Sequence, residues 1–370
     1  KVTTGANNVL LGGLSGDALT DADSNVAIGR SALGQDTLGS RTIAIGFQAL
    51  AVQNFTTATN SYNIAIGYNA GVSLTTGTQT TIVGSLAGDA LTDGDFNVAL
   101  GYGSLSSDTR GSRAVAVGYL ALQDQNQTTS ANSNNTAVGY SAGTNVTTGV
   151  NNTLIGSEAG EDMTTGTSNT AVGVAAMGSA NVTGDSNTAI GAAAMISLSS
   201  GTNNTAIGHD AGRSGSPGGN TTTGTNRIAL GDENVDNAHI QVAFTVASDE
   251  RDKTDFVNLD LGLDFVKALE PVTYYWDKRS KYGDKYAEDY DLNAQTPDGT
   301  HKEDWMDVGF KAQSVQALEE AAGYTAAAKK NLTVSLGEDG KQLGLQYSKF
   351  VPILVKAIKD QDAIITSLTA

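Results

Sequence analysis

The chain has 370 residues, a formal net charge of −17, no cysteine, and 22 Lys+Arg against 39 Asp+Glu. The acidic balance argues against a nucleic-acid partner, and the missing cysteines exclude disulfides and thiolate metal sites. No run of 18 apolar residues is available to span a membrane.

Composition changes once along the chain. Residues 1–247 hold 36 of the 44 glycines and 7 Lys+Arg against 17 Asp+Glu. Residues 248–370 hold both tryptophans and 15 Lys+Arg against 22 Asp+Glu. Lys1 opens no signal peptide, and a start without Met points to a longer parent chain.

The first region is a repeat array. One pentad recurs thirteen times, from NVLLG (8–12), NVAIG (25–29) and TIAIG (42–46) through NTAVG (135–139) to RIALG (227–231). Its closing glycines are mostly 17 residues apart, with steps of 18, 21, 21 and 23. "GGLSGDALTDADSNVAIG" (12–29) returns as "GSLAGDALTDGDFNVALG" (84–101) at an offset of 72, a tandem duplication of four-repeat blocks. Each pentad reads as a short strand, with Val26 and Ile28 on one face and Ala27 and Gly29 on the other. The small face lets another layer approach closely. The opening Asn suits a turn in which its side chain bonds its own backbone. After the glycine comes x-x-Ala/Ser-Gly/Leu/Met, as in "YNAG" (68–71) and "RSAL" (30–33). Units this short bury their apolar stripe only by stacking, which predicts a solenoid.

Other candidate sites in the array read as structural. Asp21 with Asp23, and Asp93 with Asp95, are polar turn residues, because no bidentate Glu follows at cation-loop spacing. Glu158, Glu161 and Asp162 read as a solvated loop. His209, His239 and His301 are isolated in sequence, without metal-ligand spacing. "GSPGGN" (215–220) is a turn-rich insertion that explains the 23-residue step.

Beyond the array, "AHIQVAFTVAS" (238–248) alternates like a strand. Ser248, Asp249, Arg251 and Lys253 then mark the change in composition. Residues 261–269, with Leu261, Phe265, Val266 and Leu269 apolar, predict an amphipathic helix stopped before Pro271. "VTYYW" (272–276) predicts a strand, and "DVGFKAQSVQALEEA" (307–321) a strand end running into a helix. A last helix over 348–370 would have Ser348 as its N-cap and Pro352 in its first turn. Along it Val351, Leu354, Ile358, Gln361, Ile365 and Leu368 alternate steps of 3 and 4, a coiled-coil seam with one polar position.

These residues carry two resemblances. The repeat N-x-A-[IVL]-G-x-x-A, over about residues 8–231, resembles the head repeat of trimeric autotransporter adhesins (YadA-like heads), also found in phage fibres. That resemblance implies a left-handed parallel β-roll in each of three intertwined chains. Ser-Asp-x-Arg-x-Lys at 248–253, "LEPVTYYW" (269–276), "VGFKAQ" (308–313) and the terminal "LVKAIK" helix resemble, in that order, the intramolecular chaperone of endosialidase-type tail spikes and fibres, the S74 peptidase family. That resemblance implies self-cleavage between Ala247 and Ser248, with Ser248 as nucleophile, Lys253 as its base, and Asp249 and Arg251 as the supporting motif. On a regular helix residues five apart lie roughly 140° apart around the axis. Either the segment turns between Ser248 and Lys253, or the lysine comes from a neighbouring chain.

The fold expected is a mainly β repeat array, a trimeric parallel β-roll or β-solenoid, followed by a small α+β chaperone domain ending in a coiled-coil helix. Its divisions are 1–237 for the fibre or head, 238–247 for a connecting strand, and 248–370 for the chaperone, with the helix at 348–370. The resemblances imply a trimeric phage fibre for host-surface attachment, in which single-turnover autoproteolysis is the activity expected. No cofactor and no metal is expected. The implied partners are two further copies, a host receptor of glycan type, and other tail proteins at the N-terminal side, with neither nucleic acid nor membrane insertion. The implied location is the virion, after synthesis in the host cytoplasm. No residue is assignable to receptor contact. Two other readings stand beside this one. A bacterial trimeric adhesin should end in membrane strands, whereas 347–370 reads as a soluble helix. A polysaccharide depolymerase needs two converging carboxylates.

Overall fold

Each pentad supplies one three-residue strand, and these strands build the first region. In a computed structural model that describes every residue except 1, 242–244, 286, 288, 329, 331 and 370, thirteen strands from Val9–Leu11 to Ile228–Leu230 lie in one sheet. They follow in sequence order, and every neighbouring pair is parallel. Register advances one coil at a time: Ala27 pairs with Ala44, Ala44 with Ala65, and Ala189 with Ala206. Equivalent pentad positions therefore stack into columns, and the region is a β-solenoid of about twelve turns.

The columns explain the composition. The central pentad residue points inward and is fully buried in Ala27, Ala44, Ala65, Ile82, Ala99 and Leu154. Its neighbours, such as Val26 and Ile28, face outward and are half-buried. Larger side chains fill the core from two alternative places. Four residues after the closing glycine stands Leu33, Leu50, Leu105, Leu122, Met177 or Met195, each fully buried. Where that place holds Gly71, Gly88, Gly143 or Gly160 instead, the core is filled three residues later by Leu74, Leu91, Val146 or Met163. At Gly71 an added Cβ would stand 2.8 Å from the Ile82 Cδ1. The Gly/Leu/Met alternation of the sequence is thus an exchange of core volume between two corners of the coil.

The opening Asn behaves differently from its expected role as a self-bonded turn. The left-handed residue is the one before it, as at Ser24, Tyr62 and Asn151, with φ of 59°, 53° and 60°. The Asn itself is buried and bonds the next coil. The Asn152 Oδ1 accepts the Asn169 N–H at 2.9 Å, and its Nδ2 donates to the Gly166 carbonyl at 2.8 Å. The same ladder joins Asn135 to Asn152, Asn169 to Asn187, and Asn187 to Asn204. Repeat-to-repeat bonding is what a buried amide with two donors and two acceptor lone pairs can satisfy in a stack of identical turns. Two buried pairs follow the 72-residue duplication: Gln53 donates to Asp36 at 2.7 Å, and Gln125 to Asp108 at 2.5 Å.

The chain divides into two compact units, residues 1–213 with 221–232, and residues 214–220 with 233–370. In the second unit, helix α1 (Leu263–Ala268) lies inside the predicted span and ends before Pro271. The strand Val272–Tyr274 pairs antiparallel with Asp307–Gly309. Helix α2 (Ala312–Ala321), a hairpin of Val334–Leu336 with Leu343–Leu345, and helix α3 (Phe350–Thr369) complete it. Leu261, Phe265, Val315, Val334, Phe350 and Ile353 form its core. The last helix starts later than expected. Tyr347–Lys349 is a 3-10 turn, so Ser348 does not cap α3. Stacking of Phe310 on Tyr347 and Phe350 holds that turn. The strand expected over 238–248 is absent at 238–241 and 245–248, and residues 242–244 lie outside the described residues. Among the described residues no helix is long and apolar enough to cross a membrane.

Candidate functional site

The segment that opens at Ser248 is shaped by one short turn. Glu250–Asp252 is a 3-10 turn whose N-cap is Asp249. The Asp249 Oδ1 accepts the Arg251 N–H at 2.9 Å, and the Arg251 guanidinium closes on the same carboxylate, with Nη2 to Oδ2 at 2.6 Å. This two-point contact is the geometry that a planar guanidinium favours. The Arg251 side chain, and next its backbone N–H, hold the Asp249 carboxyl below the usual carboxylate range. Lys253 then leaves the turn in extended backbone, with its N–H bonded to the Glu250 carbonyl at 3.1 Å.

The turn reverses the chain far enough for side chains five residues apart to meet. The Lys253 Nζ donates to the Ser248 Oγ at 2.5 Å and to the Ser248 carbonyl at 3.1 Å. Of the two arrangements open to the sequence, the one in which the segment turns on itself is present within a single chain. Ala247, Ser248, Asp249, Arg251 and Lys253 are all exposed. A hydroxyl beside an amine can serve as an activated nucleophile, but only where the amine has lost its proton, and that requires its removal from water.

The downstream motifs converge as well. The Asp307 Oδ2 accepts from the Tyr274 hydroxyl at 3.3 Å and from the Trp276 Nε1 at 3.2 Å, which joins "VTYYW" to the strand opposite it. Burial, followed by the Asp307 charge, pushes the Tyr274 phenol up from its ordinary value. The Phe310 N–H donates to the Tyr347 hydroxyl at 3.2 Å, so "VGFKAQ" meets the residues that open α3. Sequence reasoning missed Asp307 as the shared acceptor, because its role follows from strand register.

The remaining candidates resolve as follows. The Asp23 Oδ1 accepts the Ala6 N–H at 2.6 Å, and the Asp95 Oδ1 accepts the Thr78 N–H at 2.7 Å; each fastens a coil to the one before it. Glu158, Glu161 and Asp162 share one corner of one coil, where Asn145 donates to Asp162 at 2.7 Å. Burial, then Glu158 and Asp162, push the Glu161 carboxyl up. His209 is not isolated in space: its Nδ1 lies 3.5 Å from Asp210 and 3.4 Å from Asp232.

Residues 248–324 match the family model described as chaperone of endosialidase, Peptidase_S74. No curated protein matches the chain, and no solved structure does. The matched segment begins at the serine that Lys253 contacts. From Ser248 to Tyr324 the chain is therefore similar to the endosialidase-chaperone family, and a β-solenoid precedes that segment.

Proposed function

We propose that this chain is the distal part of a homotrimeric phage fibre for host-surface attachment, whose C-terminal unit registers three chains and is then cut away between Ala247 and Ser248. The observation that carries this reading is the Lys253–Ser248 contact at the first residue of the matched domain. Family membership alone supports an intramolecular chaperone attached to a fibre; the contact supports a cutting chemistry.

The chemistry balances within the chain. Lys253, once deprotonated, takes the Ser248 hydroxyl proton while the Oγ attacks the Ala247 carbonyl carbon. The Ala247–Ser248 C–N bond breaks, the Ser248 nitrogen takes the proton back, and an ester remains on the Oγ. Water hydrolyses that ester, leaving a carboxylate on Ala247 and a free amine on Ser248. In one chain the turn is open to water. Closure by a neighbouring copy supplies the missing desolvation, which makes cutting follow assembly.

Two apolar surfaces support three copies. On α3 the seam residues Val351, Leu354, Ile358, Ile365 and Leu368 are exposed, while Phe350, Ile353 and Ala357 pack into the unit. On the solenoid, outward residues of the long sheet, including Leu100, Ile155, Ile190 and Ile207, form an exposed apolar stripe. Monomers rarely leave such continuous stripes bare.

The test is the mass of freshly made protein. The expected product is a fragment beginning Ser-Asp-Glu-Arg, with Ser248→Ala and Lys253→Ala both uncut yet still folded. Because serine and lysine meet within one chain, co-expressing the two variants should restore no cutting. Recovered cutting in mixed assemblies would move the base to a neighbour. Cutting that persists in Ser248→Ala would reduce the seam to a protease-sensitive linker.

A further inference from the structure

His209 and Asp232 occupy the same place in consecutive coils, each directly after a closing glycine. Strand register pairs Ile207 with Leu230, so the two side chains are separated by one rung even though 23 residues lie between them. In earlier coils this column carries Arg30, Phe47, Tyr68, Tyr102, Tyr119 and Tyr140, and its aromatic members stack on one another. Only at the last rung does it offer an imidazole above a carboxylate. Asp210, next to His209, adds a second carboxylate. Asp210 and Asp232 are 1% and 6% exposed.

The distances point to coordination. The His209 Nδ1 stands 3.5 Å from the Asp210 Oδ2 and 3.4 Å from the Asp232 Oδ2, and ligand atoms of all three lie within 4.8 Å of one another. Charge-assisted N–H···O bonds are about 2.7–2.9 Å long. Donor atoms bound to tetrahedral zinc at about 2.0–2.2 Å are separated by roughly 3.3–3.6 Å along the tetrahedron's edges. The two histidine–carboxylate separations match those edges and are longer than the usual charge-assisted bond. The Arg213 Nη1 lies 3.2 Å from the Asp210 Oδ1, on the edge of the same cluster.

We propose that His209, Asp210 and Asp232 form a divalent-cation site at the last rung of the solenoid. One nitrogen and two oxygen donors suit Zn²⁺ and its neighbours Co²⁺ and Mn²⁺ better than Ca²⁺ or Mg²⁺, which favour all-oxygen shells. The ion would tie the final coil to the one before it, where the 23-residue step has lengthened the connection.

The test is calorimetric titration of the chelator-treated full chain with Zn²⁺ alone. One ion per chain is expected, together with a rise in the thermal midpoint of the array. His209→Ala, at a largely exposed side chain, should weaken binding by about a hundredfold or more, since loss of a ligand costs at least as much as loss of its supporting contacts. Asp232→Asn should weaken it comparably. His239→Ala and His301→Ala should leave it unchanged. No stoichiometric uptake, or uptake that His209→Ala and Asp232→Asn leave intact, overturns the site.

Discussion

In the solenoid a glycine column runs through all thirteen rungs, beside a mostly alanine core column and an asparagine ladder carried by nine of them, and each coil hands its hydrogen bonds to the next. In the C-terminal unit, six residues from α1 and the segment before it, α2, the hairpin and α3 form the core, and Trp276, Trp305, Met306, Val308 and the α3 seam remain exposed. The array is self-consistent once one rung exists to template the next. It has no local means of making the first, because parallel coils close only through contacts distant in sequence, which form slowly. On the function proposed above, the short-range helices and turns of the C-terminal unit form early and its bare apolar surface gathers further copies, so that one region persists and the other initiates.

Removing the initiator should have the largest effect. A gene ending at Ala247 should yield aggregated array, because without the α3 seams three chains lose their shared register and high effective concentration. Correctly assembled, soluble array from that gene would break the comparison.

The same substitution should next separate the two regions by magnitude. At Gly84, φ is +141° and an added Cβ would stand 2.3 Å from the Gly101 carbonyl oxygen. Gly84→Ala strains its own coil and displaces the next, so a loss of about 3 kcal/mol or more is expected. At Gly299, φ is +92° with nothing within 4 Å of the added Cβ. Gly299→Ala should cost about 1 kcal/mol, from backbone strain alone. Thermal unfolding of the two variants in the Ser248→Ala background checks the contrast, and equal shifts would contradict it.

A milder cut through the ladder is Asn152→Ala. It leaves the Asn169 N–H and the Gly166 carbonyl without their buried partner. About 2 kcal/mol of destabilisation is expected, since each orphaned buried group costs about 1–3 kcal/mol before local relaxation. Asn152→Asp keeps the acceptor but loses the donor, and should recover only part of that loss.

The smallest effect lies in the C-terminal unit and depends on pH. Asp360 bonds the Lys356 side chain and accepts the Leu263 N–H at 3.2 Å, which ties α3 to α1. Lys356, then that backbone N–H, hold its carboxyl below the ordinary value of 3.8. A carboxyl depressed on folding contributes its stability above the unfolded value and loses it as pH falls through the lower folded one. Acid titration should therefore loosen the α1–α3 contact below about pH 4, and Asp360→Asn should flatten that dependence. Amide exchange at Leu263 reads it directly.

How much of this was legible depended on distance along the chain. The strand in each pentad was readable, because a Val-Ala-Ile alternation bounded by Asn and Gly has one local reading. The exchange between Leu50 and Leu74 as core fillers was not, since it appears only when coils are superposed. The Ser248 motif was readable as residue types in order, whereas their contact was not. It depends on Asp249 and Arg251 closing a turn, a side-chain event that helix periodicity does not anticipate. His209 and Asp232 were invisible as a pair, because 23 residues become one rung only through register.

The most direct test of the whole account is the molar mass of the uncut Ser248→Ala chain, measured by light scattering across micromolar concentrations. The account predicts three chains per particle at every concentration, and no such particle when Leu354 and Ile358 on the α3 seam are both changed to Asn before assembly. A stable single chain, or a trimer indifferent to those two changes, would contradict it.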